Sequence, residues 1–444
     1  MFSAFSLIVS IRETGSEQER CRAYSLGDLY GLALERTEEI KIAKNQLVIA
    51  EKDEDRAFSV LAPTLSAFGN YIRYSESSFI QPKSGRDYGV KLQQQFTMNG
   101  KELILLKASR DVIKQREYDL DAVRENNLFN VAGVFYNIVN RKKRVGIFNE
   151  NVNRLKSHKE AVLKKLKLEE VPKTDLLRTE AELSGAKAEL VKAENELIFS
   201  RATLARMLDL PRDYELIISN GDDVLFIDGR LDDYIKTALK NRSDMKSLEM
   251  ATILAQEDID LFKSDYWPVL SVEAGYKVQE TDPADFSGDP SLYAAINLNM
   301  ILFDWGLRKG TIGQAKAVKR NAKLALKLQT KQIALEVEQA HLAIITARNA
   351  VTSLKDKLKF SRANFDAVSL QSDLGQADIL DVMDANTTLN NAERELSEAE
   401  FYLVLEKIGL QRAKGIFLKS VMDRFLHINQ GAEDVNAKGS LKNK

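Results

Sequence analysis

The chain is written twice, and no other feature constrains its fold as much. Displaced by 205 residues, Leu26–Tyr71 lies without a gap on Leu231–Tyr276, with coincidences at Leu26/Leu231, Ala33/Ala238, Lys41/Lys246, Asp53/Asp258, Pro63/Pro268 and Tyr71/Tyr276. A displacement of 206 then matches Gly100/Gly306, Asp175/Asp381, Leu183/Leu389, Glu189/Glu395 and Leu204/Leu410. A unit of about 185 residues is far longer than the repeats of solenoids and propellers, so the sequence reads as one duplicated subdomain. The expected divisions are a leader at 1–25, a first unit at 26–210, a short acidic linker at 211–230, a second unit at 231–415 and a polar tail at 416–444.

Proline placement says what the units are made of. Prolines occur only at 63, 82, 172, 211, 268, 283 and 290, which leaves Lys83–Val171 and Ser291–Lys444 free of them. These intervals, rich in Ala, Leu, Lys, Glu and Gln, have the composition of long helices and coiled coils. With 64 basic and 65 acidic residues the net charge is −1, so no overall field draws the chain to nucleic acid, and none is expected as a partner. The lone Cys21 excludes an intrachain disulfide, and its charged setting does not resemble a lipoprotein processing box. Met1–Ile11 is an apolar run of signal-core length, without a basic leader, and reads as a remnant secretory signal or a disordered leader. No uncharged stretch is long enough for a transmembrane helix, so any membrane insertion has to use strands.

Each unit reads helix, strand, loop, strand, very long helix, tip, returning helix. The opening helices are expected from Ser25 to Leu61 and from Leu231 to Tyr266, each stopped by proline. Strand-like alternation follows. Leu65, Ala67, Gly69 and Tyr71, then Tyr88, Val90, Leu92 and Phe96, share one face in the first unit. Leu270, Val272, Ala274, Tyr276 and Val278, then Leu292, Ala294, Ile296, Leu298, Met300 and Leu302, do so in the second. A period of two over nine to eleven residues matches a tilted strand crossing a bilayer, and also a half-buried sheet of a soluble domain. Then come heptad seams. Ile333, Val337, Ala340, Ile344, Ala347, Val351, Leu354, Leu358, Phe365 and Val368 fall on alternating steps of four and three, with Ser361 as the polar break. Val131, Val134, Ile138, Val145, Phe148, Val152, Leu155 and Val162 repeat the register, broken by Arg141 and Lys159. Tips follow at Glu169–Lys173 and Leu374–Ala377, marked by Pro172 and Gly375.

This order of elements, and the run Gly375-Gln-Ala-Asp-Ile-Leu-Asp-Val-Met-Asp-Ala-Asn-Thr-Thr-Leu with its counterpart Val171-Pro-Lys-Thr-Asp-Leu-Leu, resembles the TolC-like family of outer-membrane efflux and secretion channels. The resemblance covers Leu26–Gly415. It implies a mainly α chain with a β-barrel segment: a homotrimer in which each chain gives four strands to a shared twelve-stranded barrel, while its coiled-coil helices build a periplasmic cylinder. Physics supports the sharing, because four strands leave two open edges that lipid does not tolerate. The implied role is the exit duct of a tripartite system, in outer-membrane lipid, serving an inner-membrane transporter through a periplasmic adaptor. Its cargo is either small molecules or secreted protein.

The same resemblance nominates residues. Asp381 and Asp384, one turn past the second tip, correspond to the acids that ring the periplasmic mouth, and their i,i+3 spacing puts both carboxylates on one helix face. The bland alternative is a pair of first-turn acids favouring the helix dipole. Where relatives carry a basic latch residue this chain has Ala377, leaving Gln376 to donate a hydrogen bond, toward Asp175. Glu169 stands where glycine is common. The adaptor-contacting tips are expected to be Glu169, Val171, Pro172 and Lys173, with Leu374, Gly375 and Ala377.

Other residues stay structural. Asn99-Gly100 and Asp304-Trp305-Gly306 read as strand-to-helix junctions, and Tyr71, Tyr88, Tyr276, Tyr293 and Trp267 as either an interfacial belt or packing. His158, His341 and His427 are too scattered for a metal site, no nucleophile has its base, and neither cofactor nor catalysis is expected. A metal-cation efflux duct of the same fold and a soluble coiled-coil scaffold are the competing readings.

Overall fold

The computed structural model describes residues 23–76, 78, 82–218, 229–282 and 287–423. Most of the expected leader with Cys21, the middle of the linker and most of the tail with His427 lie outside the described residues. The chain runs twice through one sequence of elements. The first pass is α1 (Leu26–Arg36), α2 (Glu38–Ser59), β2 (Thr64–Arg73), β3 (Ser84–Thr97), α3 (Lys101–Lys167) and α4 (Lys173–Leu208), preceded by the short strand β1 (Ala23–Tyr24). After β4 (Glu215–Leu216), which pairs in parallel with β1, come α5 (Leu231–Asn241), α6 (Ser243–Ser264), β5 (Val269–Asp282), β6 (Gly288–Asn299), α7 (Leu307–Asp373) and α8 (Ile379–Ala413).

The opening helix of each pass is not continuous, contrary to the periodicity. It breaks at Thr37 (φ −61°, ψ 127°) and again, 205 residues later, at Arg242 (φ −61°, ψ 128°). The backbone loses little at these breaks. The N–H of Thr37 still reaches the Ala33 carbonyl and that of Arg242 the Ala238 carbonyl, while their own carbonyls accept from Lys41 and Lys246. The apolar period therefore passes through the kink undisturbed, which is why sequence alone does not reveal it. Arg242 is held in place by Asp244 and by Glu336 of α7.

The strands form one antiparallel sheet in the order β2-β3-β5-β6, with β2 and β6 as open edges. Its register separates the faces. Leu65, Leu92, Ala274 and Ala294 stand side by side across the four strands, as do Ala67, Val90, Tyr276 and Leu292. Many of these side chains are bare, with Leu292 at 83% and Ile296 at 74% exposure, and exposed apolar area on this scale calls for lipid. The opposite face carries Lys91, Glu273, Lys277 and Asp87. Tyr293 lies on this polar face and so is not part of an apolar belt; Trp267, Tyr71, Tyr88 and Tyr276 stay exposed. β6 ends at Asn299, opposite Val269, so Met300 and Leu302 fall outside the strand expected to contain them. The reason is that β5 starts only after Pro268 and has no further residue to pair.

Below the sheet, Gly100 (φ 76°) and Gly306 (φ 90°) turn the chain into α3 and α7, each 67 residues long, or roughly 100 Å at 1.5 Å per residue. α2, α3, α6 and α7 lie side by side next to the four-stranded sheet; α4, α3, α8 and α7 do so toward the tips. The seams are buried as expected at Val131, Ile138, Phe148, Val152, Leu155 and Val162, and at Ile333, Val337, Ile344 and Val351. The two polar breaks of the first seam face acids of α4: Arg141 pairs with Glu196, and Lys159 with Glu180 at 2.8 Å. The largest apolar core sits midway along the rods, where Leu29, Leu128, Phe135, Leu204 and Tyr214 meet Phe417 and Val421 of the segment after α8. No described helix is long and apolar enough to cross a membrane.

Candidate functional site: the tips of the helical hairpins

Both rods end in the same backbone device. Glu169 (φ 61°) and Gly375 (φ 73°) are left-handed, and the next amides, Glu170 N and Gln376 N, reach back five residues to the Lys165 and Gln371 carbonyls. This is the Schellman stop, satisfying carbonyls that a helix end would otherwise orphan. Glycine adopts that conformation freely, whereas Glu169 does so under strain of about 1 kcal/mol. The turns expose two equivalent leucines, Leu168 at 68% and Leu374 at 65%. Leu168 lies just outside the tip marked by the sequence, because the helix ends one residue before its left-handed turn.

The tip residues divide by environment. Pro172 caps α4, and Lys173, Gly375 and Leu374 are exposed. Val171 is half-buried and packs with Val162 and Leu176 against Ile379 and Met383 of the other hairpin, so its apolar contact is already used. The second tip enters α8 through a capping box. Asp378 Oδ1 accepts the Ile379 amide at 2.6 Å, and Asp381 Oδ2 accepts the Asp378 amide at 3.2 Å.

Asp381 and Asp384 are both exposed, on one face of α8. They line a shallow groove of about 310 Å³ with Gln376, Ala377 and Thr388 on their side and Gln371, Val368 and Asn364 of α7 on the other. Gln376 and Ala377 thus join the two aspartates, whereas Asp175, half-buried in the first turn of α4, is not in this groove. Asp381 serves its helix as a cap and still presents a carboxylate to the groove; Asp384 has no such duty.

Ala377 offers no charge, and the two hairpins are tied elsewhere. Lys165 Nζ of α3 donates to the Ser372 carbonyl in the last turn of α7 at 2.6 Å. One level higher, Asn386 Nδ2 donates to Asn151 Oδ1 at 2.8 Å in a buried pair. Arg154 Nε donates to Asn386 Oδ1, and its Nη2 lies 3.1 Å from Glu393. Glu393 also holds Arg362 of α7 at 2.8 Å, so one carboxylate joins α3, α7 and α8. Sequence reasoning missed this ladder. Its signal was present in polar residues on buried helix faces, Asn151, Asn386 and Glu393, but no spacing rule pairs residues more than 230 positions apart. A cavity of about 600 Å³ opens beside it, lined by Arg154, His158, Lys165, Asp373 and Met383 among others. Burial, with help from Lys165, pushes the His158 imidazole below its ordinary value, against the pull of Asp373.

A lipid-facing sheet with open edges, set on rods three bilayers long that end in an acid-lined groove, defines a subunit of an outer-membrane channel. The comparisons agree. Residues 234–415 match the family described as outer membrane efflux protein. The outer membrane protein TolC of Vibrio cholerae is 19% identical over 411 residues, covering 90% of this chain and 93% of that one. The Escherichia coli protein of the same name is 21% identical over 196 residues, spanning 41% of this chain and only 39% of its own length. Among solved structures, the Campylobacter jejuni CmeC outer membrane channel superposes with a TM-score of 0.78 at 18% identity, over 88% of this chain and 86% of that one. Residues 234–415 thus carry the outer membrane efflux protein match, the chain is similar to TolC over most of its length and shares the fold of these channels, and its place is the outer membrane.

Proposed function

We propose that three copies of this chain close one barrel and form the passive exit duct of a tripartite export system. The observation that carries this reading is the sheet itself. It has a lipid-facing side and a charged side, yet β2 and β6 leave their amides unpaired, and a bilayer core offers those groups no partner. Edge-to-edge pairing of β6 with β2 of the next copy relieves both, and three copies give twelve strands, within the range of bacterial barrels. The helices beneath then continue the wall as a periplasmic cylinder.

The exposed tips around Leu168, Glu169, Pro172 and Lys173, and around Leu374, Gly375 and Ala377, are the docking surface for a periplasmic adaptor that joins the duct to an inner-membrane transporter. Asp381 and Asp384, with Gln376 beside them, line the mouth, where threefold symmetry makes a ring of six carboxylates that favours cations. Asp175 of a neighbouring copy is the acceptor we propose for Gln376. The units 26–210 and 231–415, the linker 211–230, the leader 1–25 and the tail 416–444 are the divisions we propose for the chain. Cargo specificity rests with the transporter, because a passive duct has no energy source of its own. The experiment is fractionation and crosslinking of the full chain: outer-membrane location as a detergent-stable trimer supports the duct. A soluble monomer or dimer would support the scaffold instead.

A further inference from the structure

The polar face of the sheet carries a doubled motif. β3 reads Asp87-x-Gly89-x-Lys91 and β5 reads Glu273-x-Gly275-x-Lys277. Side chains alternate along a strand, so all six positions share one face. The antiparallel register sets Lys91 opposite Gly275 and Lys277 opposite Gly89. Each lysine therefore faces a residue without a side chain of its own and leans diagonally to the other strand's acid. Lys91 Nζ lies 3.6 Å from Glu273 Oε2, and Lys277 Nζ 3.6 Å from Asp87 Oδ1.

The glycines are set by space. A Cβ at Gly89 would stand 2.1 Å from the Tyr276 carbonyl oxygen, and one at Gly275 would stand 2.9 Å from the Tyr293 ring. Tyr293 crosses Gly275 from β6 and donates its hydroxyl to Glu273 Oε1 at 2.6 Å, so Glu273 is held from two sides. In the same rows β2 contributes Ser66, Phe68 and Asn70, and β6 contributes Ser291, Tyr293 and Ala295, none of them charged.

We propose that these crossed ion pairs determine the charge selectivity of the barrel lumen by keeping it electroneutral, with Lys91 and Glu273 as the specificity-determining residues. The inference rests on reading the sheet as one third of a water-filled barrel. Two cations and two anions cancel within each copy, so the barrel adds no sieve to the acids at the mouth and passes cargo of either sign. Removing one partner leaves three like charges at one level of a pore with low-dielectric walls, where fields are focused.

The test is the reversal potential of the full-length channel in a planar bilayer under a KCl gradient. The background is Asp381→Asn/Asp384→Asn, so that the mouth acids do not set the reading. The background channel should show little preference between K⁺ and Cl⁻. Glu273→Gln should shift the permeability ratio several-fold toward anions and Lys91→Gln several-fold toward cations, with the double variant returning to the background value. If Glu273→Gln fails to assemble, Lys277→Gln reads the second pair by the same cation shift. Channels that conduct with unchanged reversal potentials, or shift in the same direction for both single variants, overturn the proposal. Absence of any channel current across all variants would instead count against the duct reading.

Discussion

Glu393 is where the two halves of the duplication are most open to attack. Its side chain is 6% exposed and lies between Arg154, 20% exposed, and Arg362, 59% exposed. Taking away one partner of a buried ion pair typically costs about 3–5 kcal/mol. Here Arg362 already reaches water and Arg154 keeps Asn386, so for Glu393→Ala we expect about 2 kcal/mol per protomer. The Arg154 share of the loss falls on the contact between hairpins, whereas the Arg362 share falls within the second hairpin, which keeps its apolar contacts. If the mouth opens by parting the hairpins, 2 kcal/mol changes the closed-to-open ratio by up to about 30-fold in each protomer. Resting conductance in a planar bilayer should rise accordingly, while outer-membrane yield and assembly of the proposed trimer remain. A double-mutant cycle with Arg154→Ala should show a coupling of at least about 1 kcal/mol in thermal dissociation of the trimer. Additive effects in that cycle, together with unchanged resting current in Glu393→Ala, would refute the argument that this carboxylate holds the hairpins together.

Further outcomes follow from other residues. Glu125, half-buried in a groove with Arg242, Asp244 and Arg412, has its carboxyl pushed up to about 7 by burial, from 4.5. A raised folded-state value means the folded protein binds the proton more tightly, so its contribution is fully present below pH 4.5 and lost as pH rises through 7. Glu125→Gln should therefore gain up to about 3 kcal/mol over the parent at pH 8 and nothing at pH 4, read as thermal melts at both pH values. Glu169→Gly relieves the left-handed strain at the first tip, partly offset by backbone entropy, and should raise the melting temperature slightly, by about 0.5 kcal/mol of stability. Gly375→Leu should leave trimers in the membrane, because no atom lies within 4 Å of the new Cβ and the left-handed strain of about 1 kcal/mol is already borne by Glu169 at the other tip, yet abolish export if the tip is the adaptor surface. Neutralising Asp381 and Asp384 as Asn should weaken block by di- and trivalent cations in single-channel recordings, while Ala377→Arg should lower resting conductance by giving those acids a partner.

The parts of this fold that were legible in the sequence are those whose signal is periodic. The seam from Val131 to Val162 and its counterpart from Ile333 to Val368 are read by counting, and their positions are buried or half-buried, the half-buried ones including Leu354, Leu358, Phe365 and Val368 toward the tip. The strand faces follow from alternation, which the register of Leu65, Leu92, Ala274 and Ala294 obeys. What stayed hidden has no period. The kinks at Thr37 and Arg242 keep their hydrogen bonds and leave the apolar pattern intact. The end of β6 at Asn299 is decided by its partner strand rather than by its own residues. The hairpin ladder pairs Asn151 with Asn386 and Arg154 with Glu393 across the whole duplication, so it is set by how the two repeats pack.

The duplication also explains why a charged mouth is expected of only one hairpin. Subtracting 206 maps Gly375 on Glu169, Ala377 on Val171, Asp381 on Asp175 and Asp384 on Arg178. The backbone of the two tips is the same, with left-handed turns and five-residue amide bonds at both. Their side chains have diverged. In the first tip an acid is followed one turn later by a base, giving no net charge, and Val171 packs beneath the second hairpin. In the second tip both positions are acids, and the polar cap at Asp378 leaves their helix face open. On the proposed reading of the mouth, one repeat supplies support and the other charge, and Lys165, Arg154 and Glu393 tie the two hairpins together. Exchanging the pair, by Arg178→Asp with Asp384→Arg, should preserve the net charge of the trimer while moving the acids to the first hairpin. Unchanged cation block in that exchanged channel would mean that only total charge at the mouth matters. Loss of block would place the effect on the face of α8.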